Sequence, residues 1–269
     1  MRAMSCRRFA LIVSSAVLST ASVAGAGCSE QQVVVGTDAG DAGSLADAAA
    51  PADTSDAEAA DAGWSGCAAV SAVVCDDFDK PDNGSWTRFV ADGGTLEIAQ
   101  GQASSPPGFL HTVLPPAGAF PSVDVRLAQI FENAKTTSID YSAHVRVVRR
   151  SAGRVSTHEI VASDVKWRLA IELSAGGDKV IEETATERRS SPLSRQLPDN
   201  TWVLLRVRAT LGLPAKPAVV SLDGVDVATH VTSPPGGQFV TLYVGQRPAS
   251  SEAGEGIVDI DNVVARRGD

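Results

Sequence analysis

From Trp64 to the C-terminus, short runs rich in Val, Ile, Thr and aromatic residues recur about every ten residues, separated by Gly, Pro, Asn or Asp. No stretch of this region sustains the 3.6-residue apolar period of a helix. A chain punctuated this way predicts an all-β sandwich or barrel. The runs fall near 73–78, 85–90, 95–99, 109–114, 123–131, 139–148, 156–162, 166–173, 179–184, 201–210, 218–224, 225–230, 239–245 and 257–265.

Successive side chains of a strand point to opposite faces, so alternation shows which side is buried. Ile139, Tyr141, Ala143, Val145 and Val147 fall on one side, with Asp140, Ser142, His144 and Arg146 on the other. Trp167, Leu169, Ile171 and Leu173 likewise oppose Lys166, Arg168 and Glu172, and Val203, Leu205 and Val207 oppose Trp202, Leu204, Arg206 and Arg208. One buried and one solvated face per strand is the habit of antiparallel sheets. Asp223-Gly224 between two such runs has the residues of a tight hairpin.

The 63 residues before this region differ in kind. Residues 1–27 read as an export signal, with a basic head (MRAMSCRRF), an apolar run relieved by Ser and Thr, and small residues leading up to Cys28. Ala24-Gly25-Ala26 suits an ordinary signal peptidase, whereas VAGAGC resembles a bacterial lipobox, with Gly25 where an aliphatic residue is usual. Cysteine parity favours lipidation of Cys28, which leaves Cys67 and Cys75 as one disulfide pair in an oxidising compartment. Ser29 after that Cys implies the outer membrane, as in lipoprotein sorting generally; a secreted or periplasmic protein is the alternative. Residues 28–63 carry acids and no base, are dominated by Ala, Asp, Gly and Ser, and read as a disordered tether. Leader and tether together resemble lipoproteins of myxobacteria and their relatives. Of the net charge of −9, the part from 64 to 269 keeps 24 acids against 20 bases, which gives it no general attraction for nucleic acid.

Residues 73 to 266, roughly, also carry a resemblance. An opening CDDFD, a later strand beginning TW with the hairpin SLDGVDV after it, and a last strand VDIDNVVA are similar to concanavalin A-like lectin/glucanase jelly rolls, including LamG-like and glycoside hydrolase 16-like domains. The resemblance implies an antiparallel jelly-roll sandwich in which the first and last strands pair. It makes VDIDNVVA the closing strand, and the terminal Arg267-Gly268-Asp269 a polar end after it rather than an adhesion signal.

The catalytic patterns of the resembled enzymes are not met. Their glucanases use Glu-x-Asp-x-x-Glu on one strand; here Glu182 and Glu183 are neighbours, and Asp259 and Asp261 lack a third carboxylate. Alginate lyases use Gln-Ile-His, and this chain has Gln129-Ile130-Phe131. His111, His144, His158 and His230 are scattered without metal-ligand spacing, and no Gly-x-Ser-x-Gly elbow exists. Two constellations remain. Asp76, Asp77 and Asp79 on the first strand would lie beside Asp259, Asp261 and Asn262 on the last, and Asp77, Asp79 and Asp261 are the candidates for a structural calcium, as in carbohydrate-binding jelly rolls. His144, Arg146, Lys166, Arg168, Arg206 and Arg208, with Trp202 as a ring, would form a basic face for an acidic glycan or other envelope polymer if they share one sheet; the alternative is a solvated sheet face with cross-strand ion pairs to Glu172 and Asp140. The expectation is a lipid-anchored envelope protein whose sandwich binds and does not catalyse; a polysaccharide-degrading enzyme and a structural surface protein are the alternatives.

Overall fold

The computed structural model describes Cys67 and residues 72–80, 86–90, 93–116, 124–132, 137–211, 216–233 and 239–268, all within the compact unit Thr54–Asp269. The leader, Cys28 and the whole tether to residue 63 lie outside the described residues. Two antiparallel sheets make up the fold.

Sheet I takes the order β13 (Val225–His230), β12 (Ala218–Leu222), β11 (Val203–Thr210), β6 (Ser138–Arg149), β15 (Gly256–Gly268), β4 (Gly108–Leu114), β3 (Thr95–Gln100), and β1 (Val74–Asp76) also pairs with β15. Sheet II runs β10 (Arg188–Pro192), β9 (Lys179–Glu183), β8 (Trp167–Leu173), β7 (Val155–Ala162), β14 (Phe239–Pro248), β5 (Val125–Glu132), β2 (Thr87–Val90). First and last strands do pair, Val74 with Ala265 and Asp76 with Val263. The closing strand is longer than its sequence suggests. It reaches Gly268, so Arg267 and Gly268 stand opposite Ile139 and Ser138 inside the ladder rather than in a tail beyond it. Asp269 lies outside the described residues.

The alternation read from sequence is the alternation that packs. Ile139, Tyr141, Ala143, Val145 and Val147 of sheet I meet Trp167, Leu169, Ile171 and Leu173 of sheet II in one core. The disulfide forms between Cys67 and Cys75, whose Cα atoms are 5.4 Å apart; closing so short a loop contributes about 2–3 kcal/mol. Asp223 and Gly224 both take positive φ, 51° and 78°, as a two-residue hairpin turn needs. The strand that sequence missed is β10: RRSSP has neither alternation nor β-branched residues, and it survives because it is an edge strand held by β9.

Buried polar links join the sheets near their centre. Gln246 of β14 donates through Nε2 to the Thr112 carbonyl (3.0 Å) and the Gly256 carbonyl (3.2 Å), both on sheet I. The Tyr141 hydroxyl of β6 bonds Nδ1 of His158 on β7. Burial pushes the His158 pKa down to about 3, so this imidazole is neutral.

A candidate ligand-binding face

The predicted basic face does not form as one surface. His144, Arg146, Arg206, Arg208 and Trp202 lie on or beside sheet I, whereas Arg168 is on β8 of sheet II, and Lys166 is the exposed residue just before that strand. The cations that remain together are ion-paired. Arg206 donates to Asp140 at 2.8 and 2.6 Å, and Arg208 reaches Asp226 at 3.4 Å. Sequence placed these charges on the outer face, and Asp140, one of the two cross-strand partners expected there, is the one that Arg206 meets.

Part of the outer face of sheet I is covered. Strand register puts Asp259 between His111 and Arg146. Asp259 accepts from Arg146 Nη2 and Nε at 2.7 and 3.0 Å and lies 2.7 Å from His111 Nδ1, with 1% of its surface exposed. The Arg146 guanidinium lies 4.8 Å from the Trp202 ring centroid and 5.3 Å from that of Phe109, and also donates to Gln102. Trp202 donates its Nε1–H to the Gln102 carbonyl. The segment around Gln102 to Ser105 therefore folds over this face.

Beneath that segment the three acids proposed for calcium are spent on backbone. Asp77 accepts from Asp79 N, Asp79 accepts from Gly108 N, and Asp261 accepts from Ser105 N at 2.7 Å and Asn262 N at 2.8 Å. Asn262 donates Nδ2–H to His144 Nδ1 and accepts from Ser105 Oγ. Burial first of all lifts the Asp261 pKa to about 6, while its hydrogen bonds work against the rise. The His144 pKa is lowered, mainly by burial, with Asp223 acting in the opposite sense. Among the described residues no three acid, His or Cys side chains converge to hold a metal ion. Asp261 already accepts two backbone N–H bonds and no group of three converges with it among the described residues, so the donor set does not fit the ion.

Sheet II presents the opposite situation. Register shifts occur in β7 between Thr157 and Glu159 and in β14 between Tyr243 and Gln246, where the two strands adjoin. His158 carries φ 50° at the first and Gly245 φ 132° at the second. A Cβ on Gly245 would lie 2.3 Å from the Val125 carbonyl oxygen, so this bulge requires glycine. The shifts turn Glu159 and Tyr243 outward as a pair. Glu159 is clamped by Arg126 Nη1 and Arg168 Nη2, each at 2.8 Å, and the Arg126 guanidinium lies 4.2 Å over the Tyr243 ring. Arg168 continues to Glu183, which meets Arg188, which meets Glu172. Beside this ladder Phe89 tilts against Tyr243 at 6.2 Å, and Phe89, Ile130 and Phe239 are 39, 56 and 49% exposed.

Sequence reasoning named Arg168 here and missed Arg126, Glu159, Tyr243 and Phe89. The signal was hidden because the bulge at His158 reverses the alternation of STHEIVA. Gln129 and Phe131, the lyase-like pair, share the inward side of β5 with Leu127 of the core, so they contribute nothing to this face.

No known family matches the sequence, and no curated protein matches it. Solved structures do resemble the fold. An endo-β-1,4-glucuronan lyase from the fungus Trichoderma reesei is 10% identical, with a TM-score of 0.59 over 74% of this chain and 96% of its own. The cellulose-induced protein Cip1 is 14% identical, with a TM-score of 0.55 over 71% and 96%. A β-1,3-glucanase from Mycobacterium marinum is 13% identical, with a TM-score of 0.50 over 73% and 99%. At these identities the likeness is one of fold, and the fold is the concanavalin A-like jelly roll.

Proposed function

We propose that the sandwich is a non-catalytic carbohydrate-binding module whose binding surface is the outer face of sheet II. The observation that carries this reading is a patch of exposed rings: Phe89 against Tyr243, with Phe239 four residues away on the same side of β14, bordered by an ion ladder in which Arg188 is more exposed than Arg126 or Arg168. Sugar rings offer an apolar face for aromatic stacking and hydroxyl or carboxylate groups for Arg donors. Neighbouring structures named as a glucuronan lyase and a glucanase support the same ligand class. Glu159, buried between two cations, is built as an anchor for those cations rather than as a proton donor. The proposal includes export and a lipid on Cys28 holding the domain at the cell envelope, with the outer membrane as its site; both rest on the leader and tether.

The purified protein should be retained on an acidic polysaccharide without releasing reducing ends. Phe89→Ala should weaken retention about fivefold, the worth of one aromatic contact. Product release would make the protein an enzyme, and absence of retention across a polysaccharide panel would leave a structural surface protein.

A further inference from the structure

A second polar cluster lies at the sandwich edge where β10 of sheet II approaches the end of β13 of sheet I. Ser191 Oγ is 2.8 Å from Nδ1 of His230, and Nε2 of the same ring is 3.4 Å from Oε2 of Glu182. Glu182 is fixed by two further donors on its other oxygen, Trp167 Nε1 at 2.7 Å and the backbone N of Ser233 at 2.6 Å. These donors orient the carboxylate toward the imidazole.

With Glu182 Oε2 facing Nε2 of His230, the tautomer that suits a serine base carries its hydrogen on Nε2 and leaves Nδ1 to accept from the Ser191 hydroxyl. Burial is graded in the same direction: Glu182 is 1% and His230 3% exposed, whereas Ser191 is partly exposed between exposed Ser190 and Pro192 on the edge strand. A partly exposed hydroxyl, an imidazole bonded to it and a buried acid on the other ring nitrogen form a nucleophile, a base and an orienting group in hydrogen-bond sequence. Arg189 projects from the same face of β10 two residues away, bonding Ser233 Oγ at 3.4 Å and Glu187 at 2.6 Å.

We infer that Ser191, His230 and Glu182 form a nucleophilic serine site for carboxylic esters, separate from the glycan face. Ser191 Oγ attacks the ester carbonyl carbon while its proton passes to Nδ1 of His230, and Glu182 stabilises the imidazolium. The tetrahedral alkoxide collapses, the bond to the leaving alkoxy oxygen breaks, and His230 returns the proton to it. Water repeats the sequence on the acyl-serine and releases the acid. Ser191 and His230 are the catalytic residues, and Glu182 is a positioning residue.

The test is to expose the full chain to a fluorophosphonate and to p-nitrophenyl acetate. The expected result is a single adduct mapped by mass spectrometry to Ser191. Ser191→Ala should lose the adduct and lower acetate release by roughly a hundredfold or more, while Ser190→Ala behaves as wild type. Wild-type protein that takes no adduct, or takes it at another residue, overturns the assignment whether or not the variants fold. Undiminished hydrolysis by folded Ser191→Ala overturns it as well.

Discussion

The two outer faces of the sandwich start from the same strand alternation and end differently. Sheet I carries Arg146, Arg206, His144 and Trp202 outward, yet a connecting segment covers part of it and carboxylates pair its charges. Sheet II keeps Phe89, Ile130 and Phe239 exposed beside its own ion ladder. The difference teaches that outward polarity does not mark a binding face. Apolar surface left exposed among the described residues is the more informative sign, because leaving rings in water has a cost that folding alone would avoid.

The comparison is most exposed to failure at Asp259. Asp259→Ala leaves the Arg146 guanidinium beneath Trp202 without its buried partner, and the expected loss is about 3–5 kcal/mol in chemical denaturation. Glycan retention by the folded fraction should not change. A loss of binding at intact stability would move the functional face to sheet I.

Acid titration sharpens the contrast next, since a buried group on each sheet shifts in its own sense. His158 has a folded pKa near 3, below its ordinary 6.5, so the unfolded chain takes up a proton that the folded chain refuses. Its contribution to stability is therefore lost as pH falls below about 6.5, at up to about 1.4 kcal/mol per unit. Asp261 has a folded pKa near 6, above its ordinary 3.8, so its contribution is full below 3.8 and lost as pH rises through 6. Between roughly pH 4 and 6 the two slopes oppose each other. Asp261→Asn removes one of them, and its stability should rise with pH across that window relative to wild type. Parallel profiles for the two proteins would refute the Asp261 shift.

The smallest effect belongs to the surface pairs. Arg208 and Asp226 are about half exposed and 3.4 Å apart, and Arg208→Gln should change stability by less than about 0.5 kcal/mol. It should leave glycan retention unaltered. A measurable loss of retention would revive the basic face on sheet I.

Much of the fold was legible in the sequence, for a local reason. Alternation in 139–147 and 203–208 identifies inward residues because the strand period is a property of a few adjacent bonds, and Asp223-Gly224 identifies its turn the same way. The disulfide followed from counting thiols. Where local rules break, the reading broke too. RRSSP carries no strand signal, and bulges at His158 and Asn262 reverse parity in mid-strand, so that Val258 and Ile260 hand the core side to Val263 and Ala265.

By itself, then, the sequence determined a two-faced antiparallel sandwich closed by VDIDNVVA, with a chemically distinct segment before it. Only tertiary structure decided which strands share a sheet. That separated Arg168 from Arg146, enclosed Asp261 under Ser105, and brought Ser191, His230 and Glu182 together from three strands. Strand order depends on pairings between residues distant in the chain, which packing of the whole core selects and no local period encodes.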